Sequence, residues 1–346
     1  MRAATFFDGI GWREGVVEFV DGRVRLRDES PAPGLPRIEG VITGGFTDHH
    51  VHLQLVEHGL LAGSRLGRVV DLGGRPEVLR RLAVHNSGGT PSDRPATGES
   101  GPADTHAPEK RTRQAVEIDF AGAFVTAPGG YPSDREWAPE DSVREVADMD
   151  AAVEAVAEMA DAGASCIKVT SNSTAGPVFT DDLFRTIVLR AADRGLPVVA
   201  HAEGSGEAQR VVGLGAARLA HAPFTERLDD DEIARQVTSA SWISTLAIHD
   251  DPERTIAIDN VRRFHAAGGT LLYGTDLGNG PMPVDLNPLE VAALREAGLD
   301  DAALLRALAP VYPFDPASVL LLLPGRSPAS ADLLDARPLA PADLKV

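Results

Sequence analysis

Long apolar runs, cysteine and lysine are what this chain has least of, and each shortage excludes something. No run of about 18 or more apolar residues occurs, and the N-terminal segment carries charges throughout, so neither a membrane span nor a signal peptide is expected. The single cysteine, Cys166, rules out an intramolecular disulfide. It suits a reducing cytoplasm, where it should be a small buried apolar side chain. A basic face is missing too. A net charge of −18 and a pI near 4.9 argue against nucleic acid and anionic membranes as partners.

Lysine is the scarcest charge. Of 33 basic residues only Lys110, Lys168 and Lys345 are lysines; arginine serves everywhere else. Lys110 falls in a polar stretch and Lys345 near the terminus, so Lys168 alone sits inside an apolar segment. A composition this averse to lysine that keeps one there suggests that an amine is needed, not merely a charge.

What is present fits a soluble chain of enzyme size. With 346 residues and 43% hydrophobic content it can bury a large core, as one big domain or a main domain with an accessory one. Residues 3–42 hold short strand-like runs separated by turns, with Asp21-Gly22 as a hairpin signal. The apolar run 319–323 and the segment 332–335 can supply further strands. We therefore expect 1–42 and 318–346 to meet in a small β-sandwich.

From residue 43 strands alternate with helices. Strands are expected at 43–53, 66–72, 118–126, 165–169, 197–200, 218–220, 242–248 and 270–273. Helices are expected at about 76–84, 141–162, 182–194, 206–214 and 255–267, with a further one before the seventh strand. Eight short apolar strands in this alternation describe an α/β fold, a parallel (β/α)8 TIM barrel over 43–317. A doubly wound open sheet is the alternative, but no Gly-x-Gly-x-x-Gly follows the first strand. Residues 85–115, rich in Gly, Ser, Thr, Pro and charge, read as a flexible insertion.

The chain is organised around Thr43–Leu53, which reads T-G-G-F-T-D-H-H-V-H-L. In a strand, Phe46, Asp48, His50 and His52 share one face and His49 and Val51 the other. Two imidazoles two residues apart at a strand end can reach one metal ion; a polar loop with histidines by chance is the plainer alternative. In a barrel the chemistry lies at the C-terminal strand ends. The other strands end in Lys168, His201, His221 and Asp276. Each alone has an ordinary explanation as a rim, cap or snorkelling residue; six together at five strand ends do not.

The motifs G-G-F-T-D-H-H-V-H-L, I-K-V-T-S-N, G-L-P-V-V-A-H-A-E-G, R-L-A-H-A-P and L-L-Y-G-T-D-L-G-N resemble those of the amidohydrolase superfamily, most of all its imidazolonepropionase-like and prolidase-like branch. The resemblance covers about residues 40–310. It implies a cytoplasmic metal-dependent hydrolase with two divalent ions, zinc or a similar borderline metal. His50, His52 and Asp276 would hold the first ion, His201 and His221 the second, and a carboxylated Lys168 would bridge them. It further implies hydrolysis of an amide or cyclic amide C–N bond, such as an N-acyl amino acid or dipeptide, by a hydroxide bridging the metals, with Asp276 as the catalytic proton carrier.

Other residues are weaker candidates. Tyr131, Arg135 and Trp137 lie in the loop after the third strand, Asn172 and Ser173 follow Lys168, and His249 follows the seventh strand. Substrate contact by Tyr131, Arg135, Asn172 and His249 stands beside the plain reading of surface loops. Asp48 and Glu203 are candidate supports for the histidines. His49 should face away from the pocket, and His58, His85, His106 and His265 are expected on the surface or in packing.

The expected partner is a small-molecule substrate, and oligomeric state stays open, a homo-oligomer included. Alternatives at the same centre are a lactonase, esterase or phosphotriesterase. A mononuclear deaminase is disfavoured, because the Glu that such enzymes place three residues after the fifth-strand His is Gly204 here. A non-catalytic barrel would be expected to have lost a ligand, and none is lost.

Overall fold

A computed structural model describes residues 1–86, 116–315, 318–325, 327–328 and 331–345. Four strands open the chain: β1 (Arg2–Phe7), β2 (Trp12–Val20), β3 (Arg23–Arg27) and β4 (Arg37–Gly44). Asp21 and Gly22, both at positive φ, make the tight turn between β2 and β3. One residue, Gly45, separates β4 from β5 (Phe46–Val51). Next come β6 (Leu66–Asp71), α1 (Pro76–Asn86), β7 (Glu117–Phe120), β8 (Phe124–Thr126), β9 (Val143–Glu145), α2 (Met149–Ala162) and β10 (Ile167–Asn172). They are followed by α3 (Asp181–Asp193), β11 (Val198–Glu203), α4 (Glu207–Gly213), β12 (Arg218–Leu219), α5 (Asp230–Ser239) and β13 (Ser241–Ile243). Last are α6 (Glu253–Ala266), β14 (Leu271–Leu272), α7 (Pro288–Glu296), α8 (Asp301–Ala307), β15 (Leu320–Leu323) and β16 (Arg337–Pro338).

The two ends of the chain do meet, in one six-stranded sheet of order β16-β15-β4-β1-β2-β3. The expected sandwich is therefore seen only in part. Alternation sends the side chains of this sheet to two different clusters. Ala4, Phe6, Val17, Ile42, Leu320 and Leu322 bury one another in a local cluster. Their neighbours Phe7, Val41, Leu321 and Leu323 join the main core. Around β4 and β15 both faces are covered, whereas β2 and β3 keep exposed residues such as Phe19 and Arg25.

The rest is α/β with parallel strands, in a sheet of order β5-β6-β7 and one of order β14-β13-β12-β11-β10-β8-β9. β7 and β8 belong to one stretch of chain broken at residues 121–123. At that break the Ala121 N–H donates to the Asp71 carbonyl and the Gly74 N–H to Gly122. At the far side, the His49 N–H donates to the Tyr273 carbonyl (2.9 Å) and the His52 N–H to Leu277 (2.7 Å), so β5 lies against the segment after β14. Val70, Ala121, Cys166, Val199, Ala220 and Ile243, from successive strands or their ends, form one buried cluster. Burial pushes the Cys166 thiol up to about 11, so it packs as an apolar group.

One expected helix starts late. Apolar spacing at Val143, Val146 and Met149 suggests a helix from about residue 141, but Val143–Glu145 pairs in parallel with β8. The helix begins only where the Asp148 carboxylate caps the Ala151 N–H. It ends as expected at Gly163, in the left-handed region at φ 90°. The expected insertion 85–115 lies outside the described residues from 87 onward; residues 85 and 86 finish α1. Among the described residues no helix is long and apolar enough to cross a membrane.

Asp48 joins the two sides of this architecture. Its Oδ1 accepts from the His50 N–H (3.0 Å) and the Thr275 N–H (3.1 Å), and its Oδ2 from the Thr275 hydroxyl (2.6 Å). Asp48→Ala leaves these buried donors unpaired and is expected to cost about 2–4 kcal/mol. The measurement is urea unfolding, read as a lower midpoint; an unchanged midpoint would contradict this role.

Candidate functional site

β5 carries His50 and leads directly into His52. Its pairing with β6 shifts register between Asp48 and Val51, which the simple alternation of the sequence does not foresee. His50 and His52 are buried. The Nδ1 atom of His50 lies 2.8 Å from the Ala220 carbonyl oxygen, and that of His52 lies 3.0 Å from the Gly73 carbonyl oxygen. A carbonyl only accepts, so each Nδ1 carries the proton and each neutral ring turns the lone pair of Nε2 inward. Gly73 is at φ 155°, and a Cβ there would meet the Phe124 ring at 2.1 Å. Only glycine lets that carbonyl reach His52 under the aromatic ring. Asp71, buried at the end of β6, accepts from the Leu53 N–H (2.7 Å) and the Gly73 N–H (3.0 Å), fixing the backbone on both sides of His52.

Asp276, after β14 in the left-handed region at φ 55°, faces these rings. Its Oδ1 is 3.0 Å from His50 Nε2 and 3.1 Å from His52 Nε2. The His50 contact is not an aligned hydrogen bond, and His50 Nε2 is a buried atom without a hydrogen-bond partner. Ligand atoms of the three residues all lie within 4.8 Å of one another. Lone pairs of neutral imidazoles turned towards a carboxylate oxygen repel unless a cation sits among them, so this donor set fits a metal ion. Burial and the nearby Lys168 charge hold His50 down to about 4. Burial alone would raise Asp276 and lower His52. Before any ion binds, a proton shared between Asp276 and the two rings holds this carboxyl well below its usual range and lifts His52; a metal ion would take that proton's place. Its Oδ2 accepts from the Asn279 side-chain amide at 3.0 Å.

The remaining predicted ligands line the same cavity. Its walls include His50, His52, Lys168, His201, His221 and Asp276, and its volume is about 290 Å³. Ring centroids of His50 and His221 are 4.8 Å apart, and those of His201 and His221 are 4.9 Å apart. Lys168 lies near the start of β10, not at its end, and is 2% exposed. Burial lowers its amine to about 8, which increases the unprotonated, nucleophilic fraction at neutral pH.

Each of the other two histidines is held from behind. His201 Nε2 is 3.0 Å from Glu203 Oε2, which also accepts from the Asn172 amide at 2.7 Å. His221 Nδ1 is 2.9 Å from the Thr245 hydroxyl. Thr245 is at φ 44°, a strained position for a β-branched residue.

Of the weaker candidates, Tyr131 lines the cavity, whereas Arg135, Asn172 and His249 are not among its lining residues. Arg135 stands 5.6 Å from the centre of the Tyr131 ring, Asn172 is turned to Glu203, and His249 stacks on Phe224 at 4.2 Å. His49 is outside the cavity, as expected. The sequence reading missed Leu55, Phe124, Thr170 and Asn279 as lining residues. Thr170 and Asn279 lie inside the motifs I-K-V-T-S-N and L-L-Y-G-T-D-L-G-N; nothing local marked Leu55 and Phe124.

No family model and no curated protein matches the chain. Solved structures do. The chain is similar to a Xaa-Pro dipeptidase with methionine bound in its active site, at 18% identity over 93% of each chain with a TM-score of 0.63. It is similar to an amidohydrolase at 18% identity, over 96% of this chain and 93% of that one, with a TM-score of 0.64. A third is A. niger ochratoxinase, at 13% identity over 96% of this chain and 94% of that one, with a TM-score of 0.63. These neighbours are amidohydrolase-superfamily structures, and theirs is the fold this chain has.

Behind His221, the buried Glu290 on α7 accepts from the Ala247 N–H at 2.7 Å and so fastens the segment that carries Thr245. Burial pushes its carboxyl from 4.5 up to about 7. The folded chain therefore holds this proton more tightly than the unfolded one, and the group's contribution to stability falls as pH rises from 4.5 through about 7. Glu290→Gln cannot ionise, so its stability relative to wild type should improve across that window in urea titrations. Parallel profiles would contradict it.

Proposed function

We propose that this chain is a metal-dependent hydrolase that cleaves an amide or cyclic amide C–N bond. The observation that carries the reading is the convergence of four histidines, Asp276 and Lys168 on one buried cavity, with imidazole nitrogens turned towards a carboxylate. The hydrogen bonds linking β5 to the segment after β14 favour reading both parallel sheets as one (β/α)8 barrel, with the cavity at its C-terminal mouth. On this reading 43–317 is the hydrolase unit, and 1–42 with 318–346 is accessory. The lone thiol, Cys166, suits a cytoplasmic setting.

His50, His52 and Asp276 would hold one divalent ion, zinc or a similar metal, and His201 and His221 a second. Lys168, as the carbamate formed when its neutral amine adds to CO2 and loses a proton, would join the two. Such ions lower the pKa of water and polarise a carbonyl. The protein groups do the rest. The carbonyls of Ala220 and Gly73 fix the tautomers of His50 and His52, the Glu203 carboxylate that of His201, and the Thr245 hydroxyl orients the His221 ring. Asp276, anionic at neutral pH, takes the proton of the attacking water and hands it to the leaving nitrogen. Asn279 holds the Asp276 carboxylate in one orientation meanwhile. Deamination is disfavoured further at Gly204, whose φ of 114° would strain any proton-carrying side chain placed there.

The test is metal content per chain with and without bicarbonate, together with a hydrolysis screen of N-acyl amino acids, dipeptides, cyclic imides and lactones. Two ions per chain that depend on bicarbonate are expected, along with turnover of an amide. Lys168→Ala should lose the second ion and about 100-fold or more in kcat while staying folded. A variant with two ions and full activity would refute the bridge, and exclusive turnover of lactones would replace the amide reading.

A further inference from the structure

The cavity has two chemically different walls. One carries the ligand residues. The other is aromatic, built from Phe124 and Trp137 beside His52 (centroids 5.6 and 6.4 Å away) and Tyr131 beside His201 (5.2 Å), with Leu55 also lining it. Phe124 and Trp137 meet edge to face with centroids 5.9 Å apart, and Tyr131 and Trp137 are 6.1 Å apart. This is the spacing of an aromatic cluster able to accept another ring. Trp137 is 40% exposed and Leu55 36%, so the apolar lip of the site opens to solvent.

Charge points the same way. The one lysine or arginine among the described residues lining the cavity is Lys168, buried among the ligand residues. Arg135 flanks Tyr131 but is outside the lining, and it is paired at 3.3 Å with Asp134. A substrate carboxylate held against the aromatic wall would find no cation there, only the Tyr131 hydroxyl and the Trp137 indole N–H, and burying a charge without a counter-ion is costly. Size agrees as well. About 150 Å³ is enough to hold a benzene ring, so about 290 Å³ takes one ring and an amide.

Resting on the hydrolase reading above, we propose that the substrate carries an uncharged aromatic group beside the scissile amide, seated on Phe124, Tyr131 and Trp137. Anilides and aryl ureas have this chemistry; dipeptides with a free carboxylate do not.

Three ligands test it: acetanilide, N-methylacetamide and 4-acetamidobenzoate. On the zinc-loaded full chain, calorimetry should give acetanilide a dissociation constant about tenfold or more below that of N-methylacetamide. Trp137→Ala should bring the two within about threefold, while Trp137→Phe keeps most of the preference. The carboxylate is compared on the chelator-treated chain, where it has no ion to ligate, and should bind at least about tenfold more weakly than acetanilide. A ring preference unchanged in Trp137→Ala, or a benzoate that binds as well as the anilide, overturns the proposal. Binding is read apart from turnover. The expected binding pattern with no bond cleaved would sink the hydrolase reading and leave this specificity standing.

Discussion

The site depends on a carboxylate that takes no part in the proposed chemistry. Asp48 ties the backbone of His50 to the backbone and hydroxyl of Thr275, the residue before Asp276. The two sides of the suggested metal position come from opposite ends of the parallel-strand region, 227 residues apart. Backbone hydrogen bonds from His49 to Tyr273 and from His52 to Leu277 join the same segments, and Asp48 adds a polar clamp between them. Burial drives the Asp48 carboxyl up to about 7, so the clamp is bought with desolvation. The cost is tolerable because three donors converge on its two oxygens.

The histidines follow a related logic. A ring that binds a cation must be neutral and must present one chosen nitrogen. Burial supplies neutrality to two of them: His50 is pushed down to about 4 and His221 well below its ordinary value, whereas the burial of His52 is outweighed by the Asp276 carboxylate, which lifts it. Backbone carbonyls supply the choice of nitrogen in His50 and His52, and the Thr245 hydroxyl orients the His221 ring. His201 is handled differently, with the glutamate two residues on engaging its Nε2. That pairing keeps Glu203 ionised, the contact with His201 lowering its pKa.

How much of this could be read from the sequence depends on how local each feature is. The meeting of His50, His52, Lys168, His201, His221 and Asp276 on one cavity was legible because such residue types, spread over successive strands, have few other uses together. Lys168 stood out as the lone lysine inside an apolar segment, though it lies near the start of its strand. The strand at Val143–Glu145 was misread as helix because two valines three residues apart satisfy helical spacing as well as a short parallel pairing. The sandwich was legible in part: the two chain ends do share one sheet, but which of its residues pack on the main core and which on the local cluster is revealed only by the contacts. Arg135, Asn172 and His249 were plausible by position in the chain, yet their orientation is decided by Tyr131, Glu203 and Phe224, which no local pattern encodes. Phe124 was invisible for the opposite reason: a phenylalanine in a strand looks like core, and whether it borders a cavity depends on Gly73 and Trp137 from other segments.

The placement of β15 has a consequence for how the chain comes together. This strand pairs with β4 from Val41↔Leu323 to Gly44↔Leu320, and the Gly45 N–H donates to the Val319 carbonyl one residue before β5 begins. During synthesis the segment leading into the histidine strand emerges early, yet its edge partner leaves the ribosome almost three hundred residues later. Until then β4 presents unpaired backbone groups on that side, which is the kind of edge chaperones and aggregation both exploit. Such distant pairing is slow to form. The first-made motif is therefore among the last to be locked in place.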